Sequence, residues 1–135
     1  MAAFNKFEDF VEQLGLQSHQ LSTDTIKVML TNVVPVATNT QLSDLTEISA
    51  GNGYTAGGAD STNTWSEASG TATAGATDVT WTASGGTIGP FRYAVIYNDT
   101  HASDLLIGWW DYGSAVTLAD GESFTVDWTN LFTLT

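Results

Sequence analysis

The sequence has no cysteine, two prolines and only three basic residues in a chain of 135. Without cysteine there is no disulfide framework or thiolate chemistry, and zinc sites built from cysteine and histidine are excluded. Lys6, Lys27 and Arg92 stand against fifteen acidic residues, which gives a net charge of −12. Lys and Arg supply most of the affinity for phosphate backbones and anionic membranes. We therefore expect no nucleic-acid or membrane partner.

Long apolar runs are also missing. No stretch reaches the roughly 20 apolar residues that cross a bilayer. The start, MAAFNKFEDF, does not have the basic region followed by an apolar run that marks a signal peptide. We expect a soluble protein made in a cytoplasm. The length suits one compact domain over residues 1–135, and the 42% of apolar residues is enough for a core.

Residues 1–16 predict the one convincing helix of the chain. Gly15 is its expected left-handed C-cap, with Leu16 in apolar contact behind it. Large apolar side chains recur before it at helical spacing and form one stripe: Phe4, Phe7, Phe10, Val11 and Leu14. This stripe must be covered, either by the chain's own domain or by a partner subunit.

Residues 24–135 predict an antiparallel β-sandwich or jelly-roll-like domain, because short strands with period-2 alternation follow one another between turn signals. The strands are expected in TIKVMLT (25–31), near NTWSEASGTATA (63–74), and in ATDVTWTAS (76–84), PFRYAVIYND (90–99) and LLIGWWDYG (105–113). Residues 40–49, TQLSDLTEIS, predict a short helical turn.

Two strands carry more specific predictions. PFRYAVIYND is apolar on both faces and is expected at the centre of its sheet, with Phe91, Tyr93, Val95 and Tyr97 on one face. SAVTLADGESFTVDW (114–128) predicts two strands joined by a hairpin at Asp120–Gly121.

The glycine-rich segment EISAGNGYTAGG (47–58) invites a phosphate-binding interpretation, which its context contradicts. A phosphate-cradling loop follows a strand, opens a helix and carries a lysine, and this segment has none of these features. Asn52 and Gly53 instead predict a turn. Tyr54 is expected to bury its ring and satisfy its hydroxyl, while Gly57 and Gly58 redirect the chain.

Residues that could support catalysis or metal binding are present without a defining pattern. The two histidines, His19 and His101, lie in predicted loops and are expected at the surface. The acidic residues allow a glycosidase-like pair or an oxygen-ligated calcium site, and solvated surface residues are the simpler interpretation. The carboxylate candidates are Glu67, Asp111 and Asp127. The calcium candidates are Asn98, Asp99 and Asp104 in one loop and Asp44, Glu47 and Asp60 in another.

Five tryptophans are many for this length. Trp109 and Trp110 are adjacent in a predicted strand, so their side chains point to opposite faces. One belongs in the core. The other can be covered by its own domain, anchor a partner or stack on a sugar.

An ordered set of segments resembles small virion proteins of tailed bacteriophages over nearly the whole chain. The segments are KFEDFVEQL, TDTIKVMLTN, LSDLTEISAGNGYTAGG, DVTWTASGGTIGPFRYAVIYND and LLIGWWDYGSAVTLADGESFTVDW. The resemblance implies a non-enzymatic head decoration (cement) protein that stabilises the outer surface of the capsid. Its implied partners are the major capsid protein and further copies of itself, as a trimer. We expect no cofactor and no metal site.

We expect the partner interface to include Phe4, Phe7, Phe10, Val11, Leu14, Trp109 and Trp110. Two other classes of function stay open. One is a tail- or fibre-associated module that binds host glycan through exposed tryptophan. The other is a small hydrolase.

Overall fold

The computed structural model describes residues 3–135, which form ten strands, one α-helix (α1, Glu8–Gly15) and one 3₁₀ turn (Leu42–Asp44). The strands are β1 Phe4–Lys6, β2 Ile26–Thr31, β3 Ala59–Asp60, β4 Thr64–Ala68, β5 Thr71–Gly75, β6 Val79–Thr82, β7 Ile88–Asn98, β8 Leu106–Leu118, β9 Ser123–Val126 and β10 Phe132–Leu134. The mainly β architecture, with antiparallel sheets and one short N-terminal helix, confirms the predicted fold class.

Three sheets build the molecule. The main sheet has the order β1-β8-β7-β2-β3, and the two smaller sheets have the orders β10-β5-β4 and β6-β9. Strand β7 lies at the centre of the main sheet, as its two apolar faces predicted. Its last six residues, from Tyr93 to Asn98, are all buried.

The main sheet is buried on both faces. One face packs against the two smaller sheets and forms what we name the large core, which includes Phe10, Val28, Leu30, Trp81, Phe91, Ala94, Ile96, Trp110 and Trp128. The opposite face carries a second cluster, named the small core, made of Phe7, Met29, Val95, Tyr97 and Leu106 with Leu42, Leu45 and Trp109 packed on it. Alternate residues of β2 therefore enter different cores.

The N-terminal helix is shorter than predicted. Residues 4–6 form strand β1, in which Phe4 pairs with Trp110 of β8. Backbone hydrogen bonds to the edge of β8 and ring packing on Trp110 outweigh the helical spacing of the sequence. The predicted C-cap is also wrong, because Gly15 is helical, Gln17 takes the left-handed conformation (φ 64°) and Leu16 is exposed.

Two strand predictions need correction. The segment 63–74 forms two strands, β4 and β5, which turn at Ser69 and Gly70, both with positive φ. Asp120 and Gly121 do form a turn, but β8 and β9 do not pair with each other; β9 pairs with β6. The backbone N–H of Gly121 donates to the carbonyl of Ala83, just after β6. The turn therefore lies next to β6, and β9 joins the sheet of β6 and not that of β8.

The face assignment of β7 is wrong at its start. Register shifts interrupt the pairing of β7 with β8 on both sides of Phe91. An irregularity of this kind reverses the in–out alternation of the following residues. Phe91 therefore lies in the large core, whereas Val95 and Tyr97 lie in the small core.

Candidate functional site

The glycine-rich segment 47–58 forms a structural clamp. Asn52 and Gly53 make the predicted turn with φ values of 56° and 106°, and Tyr54 is buried as predicted. The Tyr54 hydroxyl donates to Glu47 Oε2 at 2.6 Å and accepts the backbone N–H of Leu30 at 3.0 Å. Burial, together with the bond to Glu47, raises the pKa of Tyr54. The segment therefore ties its own backbone to strand β2.

The three carboxylate candidates each have a separate setting. Asp111 forms an ion pair with Arg92, with Nε and Oδ1 2.8 Å apart, and this contact lowers the pKa of the carboxyl. Glu67 accepts the backbone N–H of Gly70 within the β4–β5 turn. Asp127 is exposed after β9. Local structure thus accounts for Asp111 and Glu67 without a shared reaction centre.

The calcium candidates are likewise occupied by local bonds. Asp99 pairs with Lys27 at 3.1 Å, Asp60 accepts the N–H of Thr62, and Asp44 accepts N–H groups at the start of the 3₁₀ turn. Burial and the nearby Asp99 raise the pKa of Asp104. Residues 3–135 contain no group of three or more His, Asp or Glu placed to hold a metal ion.

His19 is buried, so its predicted surface location is wrong. Its ring packs against Phe10 with centroids 5.2 Å apart, and its Nδ1 lies 3.1 Å from Asn98 Nδ2. Asn98 Nδ2 is a donor, which also binds Asp24, so neutral His19 accepts at Nδ1 and carries its proton on Nε2. Within residues 3–135 that Nε2 atom is buried and has no hydrogen-bond partner. Burial lowers the pKa of His19 to about 4, against the opposing effect of Asp24.

His101 occupies a simpler setting. It lies in the turn between β7 and β8, where its Nδ1 accepts the backbone N–H of Ser103 at 3.1 Å. Its side chain is half-buried. The two histidines therefore serve local structure in different ways, one as a buried ring and one as a turn acceptor.

The predicted partner interface is only partly accessible. Phe7 and Trp110 are buried within the chain, so the prediction is wrong for these two residues, which fill the two cores instead; Phe10 is also buried, but it lines the same surface groove as Phe4 and Leu14. Trp109 is half-buried, and its ring lies 4.6 Å from that of Phe7. Val11, with 57% of its surface exposed, is the most accessible of the seven.

Phe4 and Leu14, the other two members of the predicted interface, line a surface groove of about 300 Å³. We name it the edge groove, because it lies between β1, at the edge of the main sheet, and β10, at the edge of a smaller one. Phe4 stacks on Phe132 across it with centroids 5.3 Å apart. The lining residues are Phe4, Lys6, Phe10, Leu14, Phe132, Thr133 and Leu134. Phe132 and Leu134 alternate with Thr133, and this period-2 pattern is the sequence signal for strand β10 and for this surface.

A second exposed apolar surface follows strand β2. Val33, Val34 and Val36 expose 51%, 59% and 53% of their surface, while Pro35 between them is buried. We name residues 33–36 the valine loop. The loop is anchored by the next residue, since the Ala37 carbonyl accepts the N–H of Glu8 at 2.9 Å.

An acidic depression of about 310 Å³ borders this anchor. Glu8, Asp9 and Glu12 of α1 line it together with Thr38 and Thr40. We name the three carboxylates the acidic face of α1. It points away from the edge groove, because Phe10 and Leu14 occupy the other side of the helix.

Comparisons with protein-family models, with curated proteins and with solved structures gave no match. No helix within residues 3–135 combines the length and the apolar character needed to cross a membrane. The function is therefore inferred from the chain's own surfaces.

Proposed function

We propose that this chain is a non-enzymatic structural protein of a tailed-phage virion that decorates and stabilises the outer surface of the head. The observation that carries the proposal is the pair of exposed apolar surfaces, the edge groove and the valine loop, on an otherwise acidic chain. Contiguous exposed apolar surface on a soluble domain is typical of a protein interface.

The placement of the polar side chains supports a structural role. Tyr54, Glu47 and Asn98 are held by bonds that join separate segments of the chain. Asp111 is paired with Arg92 at the surface of the main sheet. A catalytic site needs a nucleophile or base beside a cavity and held by an orienting group, and none of these groups has that combination. These polar side chains instead connect parts of the fold, which supports a structural role.

The charge of the chain suits an exterior location. A net charge of −12 opposes non-specific association at long range and repels a polyanionic genome. Attachment to a shell must then come from short-range apolar contact, which the two surfaces provide. The proposed partners are the major capsid protein and further copies of the chain, assembled as a trimer.

The glycan-binding alternative depends on accessible tryptophan. Trp81, Trp110 and Trp128 are buried, which leaves Trp65 and Trp109 as half-buried platforms. A sugar-stacking site requires an open ring face. Because Phe7 already packs against Trp109, that alternative is the weaker of the two.

Immunogold electron microscopy of intact phage particles tests the proposal. We expect label spread over the icosahedral head. A matched pair of variants then probes the contact: Val34→Asp alters the valine loop and should reduce occupancy of heads, whereas Ser114→Asp places the same charge on an exposed strand position and should not. Label confined to the tail tip would overturn the proposal and direct attention to Trp65 and Trp109.

A further inference from the structure

Lys6 differs from the other two basic residues. Lys27 is paired with Asp99 at 3.1 Å and Arg92 with Asp111 at 2.8 Å. Lys6 is exposed and forms no ion pair within residues 3–135. It lies on the wall of the edge groove, among Phe4, Phe132 and Leu134. The groove is therefore an apolar surface with one uncompensated positive charge, on a chain that is otherwise strongly negative.

The valine loop has the complementary character. Its exposed valines directly precede Ala37, whose carbonyl accepts the N–H of Glu8, and Thr38, which lines the depression with the acidic face of α1. Two chains that each carry a net charge of −12 repel one another at long range. Close association is favoured, and its register fixed, where opposite charges meet beside the touching apolar surfaces. Lys6 and the acidic face form such a pair when they belong to different copies.

We propose that the edge groove of one copy receives the valine loop of a second copy, with Lys6 facing the acidic face of α1 in that second copy. The inference rests on the self-association included in the proposed function. The contact joins two different surfaces, so it is heterologous, and repetition of it closes into a ring or extends into a chain of subunits. A second copy fits this site because it brings both the apolar side chains and the carboxylates.

Charge reversal provides the decisive test, since the interface and the net charge predict opposite results. Glu12→Lys makes the chain less negative, which by itself would strengthen association. The proposed contact instead places a positive charge opposite Lys6, so we expect association to weaken on the order of tenfold. Asp127→Lys makes the same change in net charge at an exposed position outside both surfaces and should not weaken it.

The reciprocal change sharpens the test. Lys6→Glu alone should also weaken association about tenfold, and the double variant Lys6→Glu/Glu12→Lys should recover most of the loss. Multi-angle light scattering after size-exclusion chromatography, over a series of concentrations at low and high salt, measures these changes. Far-UV circular dichroism and thermal melts identify variants that fail to fold, and Val34→Asp then tests the apolar part of the contact independently.

Three results would overturn the inference. They are a wild-type chain that stays monomeric at every concentration, a Glu12→Lys variant that associates as strongly as Asp127→Lys, and a double variant no better than either single one. These results are separate from the fate of the proposed function. Oligomers in solution with unlabelled phage heads would overturn head decoration alone, whereas labelled heads with a monomeric chain would overturn only this contact.

Discussion

The two faces of the main sheet are covered in different ways. The large core is closed by regular structure, because the sheets β10-β5-β4 and β6-β9 contribute Trp81, Phe132 and Val126 to it. The small core is closed mainly by irregular chain: Phe7 between β1 and α1, and Leu42 and Leu45 around the 3₁₀ turn. Both clusters exclude water from the sheet, but different kinds of structure hold them in place.

The two cores also differ in the interactions that stabilise them, which are side-chain packing in the large core and hydrogen bonds to loop backbone in the small core. The large core gains most from aromatic area, for example where Trp110 packs on Trp128 with ring centroids 4.8 Å apart. The small core has fewer side chains and relies on bonds to loop backbone, such as the Tyr97 hydroxyl that donates to the Gly57 carbonyl. We therefore expect truncations to be most damaging in the large core and backbone changes to be damaging near the small core.

Adjacent tryptophans provide the largest expected contrast. Trp110→Ala removes a buried ring from the large core and should lower the free energy of unfolding by about 3–5 kcal/mol. Trp109→Ala removes a half-buried ring from the small core and should cost about half as much. Urea denaturation followed by tyrosine and tryptophan fluorescence measures both. Equal losses would show that the two faces are equally important for stability.

Lowering the pH should reduce the free energy of unfolding through His19, whose ring packs against Phe10 of the large core. Its folded pKa of about 4 lies below the ordinary value of 6.5, so between these values the unfolded chain binds more protons. This contribution to stability is present above pH 6.5 and is lost as pH falls, by up to roughly 3 kcal/mol near pH 4. The difference in unfolding free energy between the wild type and His19→Gln, measured from pH 7 to pH 4, isolates it from the titration of the carboxylates. A constant difference would contradict the prediction.

The loop that supports the small core should be sensitive to an added methyl group. At Gly58, where φ is 82°, a Cβ would overlap the carbonyl oxygen of Val28, so Gly58→Ala should cost roughly 2–3 kcal/mol. Gly70 has a similar φ of 84° but open space around it, and Gly70→Ala should cost about 1 kcal/mol. Thermal unfolding of the two variants provides the comparison. Similar melting temperatures would mean that the loop relaxes away from β2.

Two buried hydroxyls give the smallest contrast. Tyr54→Phe leaves the Leu30 N–H without its acceptor and removes one of the two donors to Glu47 Oε2, the other being the Gly57 N–H, and should cost about 1–3 kcal/mol. Tyr97→Phe removes one bond, to Gly57, and should cost about 1 kcal/mol. Chemical denaturation at neutral pH measures both losses. A larger loss for Tyr97→Phe than for Tyr54→Phe would contradict the prediction.

Local pattern was a good guide where one rule governed a segment. The alternation of Ile26, Val28 and Leu30 predicted β2, and Asn52 with Gly53 predicted the turn before Tyr54. It misled where a distant partner intervened. The apolar residues from Phe4 onward have helical spacing, so local pattern predicts a helix there. Only the open edge of β8 makes a strand favourable at Phe4–Lys6.

The candidate surfaces show the same limit of local pattern when distant segments decide burial. The predicted helix stripe included Phe4, Phe10 and Leu14, which line the edge groove, and also Phe7, which the fold buries in the small core. Nothing local distinguishes the two groups, because burial depends on which strands arrive from elsewhere in the chain. The valine loop carried no periodic signal, since Val33, Val34 and Val36 lie outside helix and strand.

The sequence by itself determined the class of the protein: an acidic, cysteine-free, mainly β chain whose two-faced central strand required cover on both sides. These properties depend on composition and on short periodicities, which belong to the chain before it folds. Tertiary structure decided the partner of each strand, the register shifts around Phe91 and the burial of His19. Those features arise from contacts between residues far apart in sequence, and so they exist only after the sheets have assembled.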